Sequence, residues 1–420
     1  MNLIKKIFSL FKDKDKKAVG QNFLSLIFLQ GANYVLPLLL LPYLVRVLGT
    51  EKYGLVMFAQ SLILFLTVFV DYGFNISGTR EISINRADRK AISNIFSAIM
   101  IVKIGLIATA SLLLFVVVES FARFNSDAQV YYLSFGVTIG QALFPVWFFQ
   151  GIEKMKFVTF INILAKVISI VLIFILVKVR SDYILVPIFY SLGYITAGVL
   201  GFLLCLKYIR LCRPSQHLIK RLLKDSTALF VSNFAASLYT ASNVFILGLF
   251  TGNTIAGIYS SMEKLILAIK NVYVPLYQAL YPWVARQTDV EKTNIIKKIM
   301  PIILSVGAVI TICILVFGGE MLHLIFNDPL ITSNAFIFKI LGFISIFSGL
   351  NMLYNMLYFP SIKKYKVRMN ILIAGGAFNI LMNLTFVKLY GISGLAIIVT
   401  STELLLFVLG YYFYRKLRVV

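Results

Sequence analysis

Long apolar runs alternate along the chain with short polar and often basic interruptions. Most runs approach the ~20 residues that an α-helix needs to cross a hydrocarbon core. On that measure the pattern predicts twelve spans, at 22–44, 54–77, 94–117, 130–149, 157–177, 183–206, 228–250, 255–284, 299–317, 334–359, 368–387 and 391–413. The second run turns polar after Asp71, and the eighth is long and holds Pro275. Both are expected to stay helical, because irregular backbone at membrane depth needs protein or water around it. Ahead of the first run, Leu3, Ile4, Ile7, Phe8, Leu10 and Phe11 share one side of a helical projection, opposite Lys5, Lys6 and Lys12. Residues 1–21 therefore read as a basic amphipathic segment suited to a lipid surface. The run 22–44 is too long for a signal peptide and lacks a small-residue cleavage site, so it is kept as the first span.

Composition agrees with a polytopic, all-α membrane protein: 60% of the 420 residues are hydrophobic and 14% are charged, against roughly 25% charged in soluble domains. A net charge of +23 would suit a nucleic-acid binder if it were clustered. Of the 40 Lys and Arg residues, 29 fall in the segments that lie inside when both termini are cytoplasmic, six fall outside, and five lie within spans. Short cytoplasmic loops hold such an excess in membrane proteins. The bias therefore predicts cytoplasmic termini, and it spreads the basic charge along one membrane face, which excludes nucleic acid as a partner. Cys205, Cys212 and Cys313 form neither a metal-ligand spacing nor an even disulfide set. No metal, cofactor or catalytic constellation is expected.

Weak self-similarity points to two copies of one unit. At an offset of 210 residues, Ile152-Glu153-Lys154-Met155-Lys156 matches Ile362-Lys363-Lys364-Tyr365-Lys366, and Val177-Lys178 matches Val387-Lys388. At an offset of 203, the turn Gly49–Gly54 resembles the turn Gly252–Gly257. These matches predict a six-helix bundle over 22–206, a basic cytoplasmic linker over 207–227 and a second six-helix bundle over 228–420. An even number of spans gives both halves one orientation, related by an axis along the membrane normal with a central cleft between them.

The five intramembrane lysines are the candidate chemistry: Lys103, Lys166, Lys264, Lys270 and Lys339. An ammonium at mid-depth costs about 2.5–3.5 kcal/mol on insertion scales, so each needs water, a partner or an anion. Lys339 lies close enough to the outer end of its span to snorkel. Lys103 and Lys166 lie roughly 14 Å from the inner ends of theirs. In the eighth span Tyr259, Glu263, Ile266, Lys270, Tyr273 and Tyr277 recur in steps of four and three, which places a cation and tyrosine rings on one helical face. Lys264 stands about 100° from that face. Asp71, Glu263 and Glu403 are the acids available to couple transport to an ion gradient. A structural ion pair or polar network is the alternative reading for each lysine. Gln30 and Asn33 in span 1, with Asn233 and Asn243 in span 7, are expected to hydrogen-bond between helices.

Several local sequences resemble a known family. Gly49-Thr50-Glu51-Lys52-Tyr53-Gly54, Asp71-Tyr72-Gly73-Phe74-Asn75 with Thr79-Arg80-Glu81, and Tyr259-Ser260-Ser261-Met262-Glu263-Lys264 followed by Gln278-Ala279-Leu280-Tyr281-Pro282 are similar to motifs of the Wzx-type O-antigen and lipid-linked oligosaccharide flippases. The most specific is Trp147-Phe148-Phe149-Gln150-Gly151-Ile152-Glu153-Lys154-Met155-Lys156. That family belongs to the multidrug, oligosaccharidyl-lipid and polysaccharide exporter superfamily, and the resemblance runs along essentially the whole chain. It implies transfer of an undecaprenyl-diphosphate-linked glycan from the cytoplasmic to the periplasmic leaflet of a bacterial inner membrane, with glycan polymerase or other assembly proteins as partners. An anionic cargo fits five lysines better than it fits a drug-cation antiporter, the main alternative. A membrane glycan polymerase or ligase would need catalytic groups on a sizeable outer loop, and the outer segments 118–129 and 318–333 are short, with His323 their only histidine.

Overall fold

A computed structural model describes the backbone over residues 13–418 and the side chains from residue 36, apart from some positions within 232–240 and at 279 and 282. The amphipathic segment's residues 3–12 lie outside the described residues, as do the side chains of Gln30 and Asn33. The described chain is helical from end to end, and no strand occurs among the described residues. Eight helices are long and apolar enough to cross a membrane, from Leu36–Ile84 to Tyr365–Leu417. Two of them carry a non-helical glycine, Gly49 at φ 73° and Gly391 at φ 56°, so a single apolar stretch holds two helical runs in each case. The remaining predicted spans, 228–250 and 255–284, fall on helices Gln216–Thr251, Asn253–Asn271 and Tyr273–Ala285. A 3₁₀-type bond from Val272 N–H to Ile269 O (3.1 Å) marks the break between the last two. Pro275 explains its place, since proline has no N–H and its ring crowds the carbonyl four residues earlier.

Polar residues at the ends set the helix starts. Asp88 accepts from the N–H groups of Lys90 (2.8 Å) and Ala91 (3.0 Å) at the head of Arg89–Ser120. Thr288 and Glu291 form a reciprocal capping box at the head of Asp289–Phe326. The flanks then differ in what they face. In Arg89–Ser120 only 22% of the apolar window is buried within the protein, against 61% in Ala335–Ser361. The first therefore shows Leu112, Leu113, Phe115 and Val116 to lipid, while the second lies within helical neighbours.

The described residues group into two compact units, Tyr43–Ser260 and a second made of Ser261 onward with the chain's start up to Pro42. In the first, Phe96, Trp147, Phe148 and Phe149 are wholly buried in one apolar cluster with Phe74 and Ile82. A second cluster centres on Phe58, Phe124 and Tyr131. In the other unit Tyr354, Tyr358 and Tyr414 pack ring against ring (Tyr354–Tyr414, 5.2 Å; Tyr358–Tyr414, 4.9 Å), beside a π-helical turn over Leu353–Tyr358.

The weak repeat at offset 210 is repeated in backbone geometry. Glu153 and Lys363 both adopt the left-handed conformation, at φ 60° and 59°. After each, the N–H two residues past the helix end reaches back across the last turn: Lys154 to Phe149 O (2.8 Å) and Lys364 to Phe359 O (2.9 Å). The inner bonds also match, Glu153 N–H to Gln150 O and Lys363 N–H to Pro360 O, both 3.1 Å. This is the Schellman termination, here without the usual glycine.

The turns at offset 203 agree in the same way and also touch. Gly49 and Gly252 have φ of 73° and 90°. A Cβ on Gly54 would overlap Asn253 O and stand 2.6 Å from Gly257 N, while a Cβ on Gly257 would overlap Thr50 O and stand 3.1 Å from Gly54 Cα. Each glycine meets the carbonyl at the other's start, so the two helix starts are reciprocal within the unit Tyr43–Ser260.

Candidate functional site

Each unit buries a lysine–carboxylate pair. In Tyr43–Ser260 the pair is Lys103 with Asp71, Nζ to Oδ1 3.6 Å, with side-chain exposures of 2% and 20%. The chain positions Asp71 by ending a helix on it: Tyr72 (φ 48°) and Gly73 (φ 78°) are both left-handed before Phe74–Ile84 begins. Gly73 has little choice, since a Cβ there would lie 2.9 Å from Leu229 Cβ and 3.0 Å from Phe230 N. Tyr72 stacks on Phe230 (4.8 Å between rings) and Ser77 hydrogen-bonds Ser226 (2.7 Å), which fixes the same corner. Asp71 thus pairs across the unit with Lys103.

Removing one member of such a pair leaves an uncompensated buried charge, at a cost of about 3–5 kcal/mol. Asp71→Asn is expected to lower the amount of folded, membrane-inserted protein, and Asp71→Leu combined with Lys103→Met to recover it. Detergent-extracted protein that unfolds at the wild-type temperature in Asp71→Asn would show that the pair holds nothing in place.

In the second unit Lys270 forms an ion pair with Glu403, whose side chain is 2% exposed against 19% for the lysine. The contact continues as a chain. Asn351 donates from Nδ2 to Glu403 Oε2 (3.0 Å), and Asn355 donates from Nδ2 to Asn351 Oδ1 (2.7 Å). Asn355 lies in the π-helical turn, and such turns occur often at functional sites. Asn379, Asn383 and Thr402 form a neighbouring buried set, with Asn383 Nδ2 on Asn379 Oδ1 (3.0 Å) and Asn379 Nδ2 on Thr402 Oγ1 (3.2 Å).

Tyr273 and Tyr277 also lie in this unit, stacked at 6.5 Å. Their hydroxyls donate to Ser345 O (3.0 Å) and Gly349 O (2.6 Å). Gly349 admits the Tyr273 ring, since a Cβ there would lie 2.9 Å from Cζ. Glu263 and Lys264 are half-buried on Asn253–Asn271. Lys166 is half-buried on Met155–Leu176, and Tyr259 is fully buried in Tyr43–Ser260. The structure therefore joins Lys103 to Asp71 and Lys270 to Glu403, and it gives Tyr273 and Tyr277 partners on the helix Ile344–Met352. Sequence reasoning passed over Asn351 and Asn355, although two amides four residues apart in an apolar run were a readable signal.

Residues 19–288 match the family described as polysaccharide biosynthesis protein. The chain belongs to that family. A protein named "Putative O-antigen transporter" from Escherichia coli (strain K12) is 29% identical over 96% of this chain and 98% of its own length. One of the same name from Shigella dysenteriae is 30% identical over 92% and 97%. Among solved structures, an inward-facing multidrug resistance MATE family transporter of the MOP superfamily superposes with TM-score 0.71 at 13% identity, over 93% of this chain and 97% of that one. Lipid II flippase MurJ, in an inward closed conformation, does so with TM-score 0.66 at 12% identity, over 93% and 87%. At such identities the likeness is one of fold. It makes this member of the polysaccharide biosynthesis family a multi-pass, all-helical membrane protein, and its relatives carry the names of transporters, not of enzymes.

Within this family member the most specific motif is a packing device. Trp147, Phe148 and Phe149 are wholly buried, and Gly78 admits the indole, since a Cβ there would lie 3.0 Å from Trp147 Cε3. Thr79 donates to Trp147 O (3.2 Å), so the Thr79-Arg80-Glu81 and Trp147–Lys156 motifs are two sides of one contact. Arg86 bonds Glu153 (2.6 Å) and Arg221 bonds Glu81 (3.0 Å) at its margin.

Proposed function

We propose that the protein is a flippase that carries an undecaprenyl-diphosphate-linked oligosaccharide, an O-antigen or related surface-polysaccharide repeat unit, from the cytoplasmic to the periplasmic leaflet of the inner membrane. Twelve spans in two six-helix bundles, 22–206 and 228–420, would expose a central cleft first inward and then outward, with both termini cytoplasmic. The lipid tail stays in the bilayer while the anionic diphosphate and polar glycan cross a cationic, hydrogen-bonding path. The observation that supports this reading is Lys270: a cation at membrane depth paired with Glu403, which accepts from Asn351, itself accepting from Asn355, in a family described as polysaccharide biosynthesis protein. We assign Lys103, Lys166 and Lys264 to the cationic lining as well, and Tyr259, Tyr273 and Tyr277 to sugar contacts that a change of conformation has to expose, since Lys103 and all three rings are buried here. Asp71, Glu263 and Glu403 are the acids assigned to coupling with a proton or sodium gradient. A glycan polymerase acting on the delivered unit is the expected partner.

The test is complementation. Expressed in strains that lack a flippase of known glycan specificity, the chain should restore surface glycan in at least one. In that strain, collapsing the proton and sodium gradients should leave lipid-linked glycan on the inner leaflet. An inserted, stable protein that restores glycan in none of them, but lowers drug accumulation instead, would replace this reading with that of an antiporter.

A further inference from the structure

A cavity of about 290 Å³ opens within the second unit, lined by Tyr277, Gln278, Tyr281, Met356, Pro360 and Arg368. Three elements make it: Tyr273–Ala285, the π-helical turn with the Pro360 turn behind it, and the first turns of Tyr365–Leu417. Arg368 supplies its charge. Its Nε is buried and has no hydrogen-bond partner among the described residues, and leaving a buried charged donor unmade costs more than the ~1–3 kcal/mol of a neutral one. A guanidinium is a rigid fork suited to two oxygens of one oxyanion. Lys363, Lys364 and Lys366 lie at the head of the same helix and are exposed, so the approach to the cavity is basic as well. The Tyr277 hydroxyl is already committed to Gly349 O (2.6 Å). Its ring is fully buried and backs the wall, so the rings and apolar groups open to the cavity are those of Tyr281, Met356 and Pro360.

An oxyanion fork set among aromatic rings selects a phosphate that carries a ring with an apolar face. The volume lies at the lower end of ligand pockets, which run from about 300 to 1,000 Å³, and so admits one sugar and its phosphate but not an oligosaccharide. We propose that this cavity is a recognition subsite for a glycosyl phosphate: Arg368 holds the phosphate and Tyr281 the first sugar ring, with the exposed Gln278 at the rim. The basic-residue bias places this end of the unit at the cytoplasmic face, where a lipid-linked glycan is first met. This assignment rests on the flippase reading and specifies which part of the cargo is read.

The experiment uses the full chain in nanodiscs, with Cys205, Cys212 and Cys313 replaced by serine and Gln278→Cys as a reporter. Undecaprenyl diphosphate bearing one N-acetylhexosamine is expected to slow alkylation at position 278 by about tenfold, pyrophosphate to slow it only at higher concentration, and phosphatidylglycerol not to slow it. Arg368→Gln should weaken protection by both phosphate probes about tenfold, which is one decade of affinity. Tyr281→Leu should weaken protection by the sugar-bearing probe alone. Equal protection by phosphatidylglycerol would make this a phospholipid headgroup site, and undiminished protection in Arg368→Gln would remove the phosphate assignment. If Arg368→Gln does not fold, protection of the Arg368-containing reporter decides: its absence with both phosphate probes overturns the subsite. Failure here with glycan export intact leaves the flippase reading standing, whereas failure of complementation strikes that reading whatever the cavity binds.

Discussion

Replacing Lys270 by alanine is expected to abolish surface glycan in a complemented deletion strain while leaving an inserted, folded protein. Glu403 is only 2% exposed and loses its ammonium in this variant, but Asn351 still donates to its Oε2 at 3.0 Å and keeps one hydrogen bond on the carboxylate. Glu403→Ala is the harsher change, because it removes the acceptor of both the Lys270 ammonium and the Asn351 amide. Breaking a buried pair from one side costs about 3–5 kcal/mol, so the amount of protein should fall sharply. The double variant Lys270→Met with Glu403→Leu separates architecture from transport. It removes both charges and should recover the protein level, since apolar replacements of a buried pair are often neutral or stabilising. Glycan export should stay absent. Recovery of export in the double variant would make the pair a structural element and take Lys270 out of the transport path.

The pair also shows how far the sequence could be read. That Lys270 needed a partner followed from the insertion cost of an ammonium. Glu403 was visible as a deep acid, but 133 residues separate the two, and one-dimensional periodicity holds no term for a contact between helices so far apart. The same limit hid the Lys103–Asp71 pair, whose members lie on different helices. Helical phase was legible: Tyr273 and Tyr277 do share a face, and their rings stack. What phase could not show is which neighbour that face meets, and here the hydroxyls meet two backbone carbonyls. Arg368 is the instructive omission. It was counted among the basic residues that orient the membrane helices, since a charge census treats every cation at an interface alike; only the buried Nε singles it out. The family motifs identified the family, and the most specific of them, Trp147-Phe148-Phe149, does so as buried core. At the offset of 210 residues the matched segments also share a helix termination, with Glu153 and Lys363 both left-handed.

The reciprocal glycines give the second large expected effect. Gly54→Ala and Gly257→Ala each insert a Cβ into a neighbouring backbone, Asn253 O and Thr50 O respectively, and no side-chain rotamer change relieves a clash with a carbonyl. Overpacking of this kind costs about 1–3 kcal/mol, so each variant should unfold in detergent at a lower temperature than wild type. The two changes meet at one seam, where the Gly257 Cβ would stand 3.1 Å from Gly54 Cα. The first substitution has to separate the helix starts, and the second then enters a gap already opened. The double variant should therefore lose less stability than the sum of the singles, by more than the ~0.3–0.5 kcal/mol scatter of independent sites. Gly252→Ala is the contrast. Nothing lies within 4 Å of its Cβ position, but its φ of 90° strains any L side chain, so its cost should add to that of either seam variant. Strict additivity between Gly54→Ala and Gly257→Ala would mean that the two helix starts do not touch.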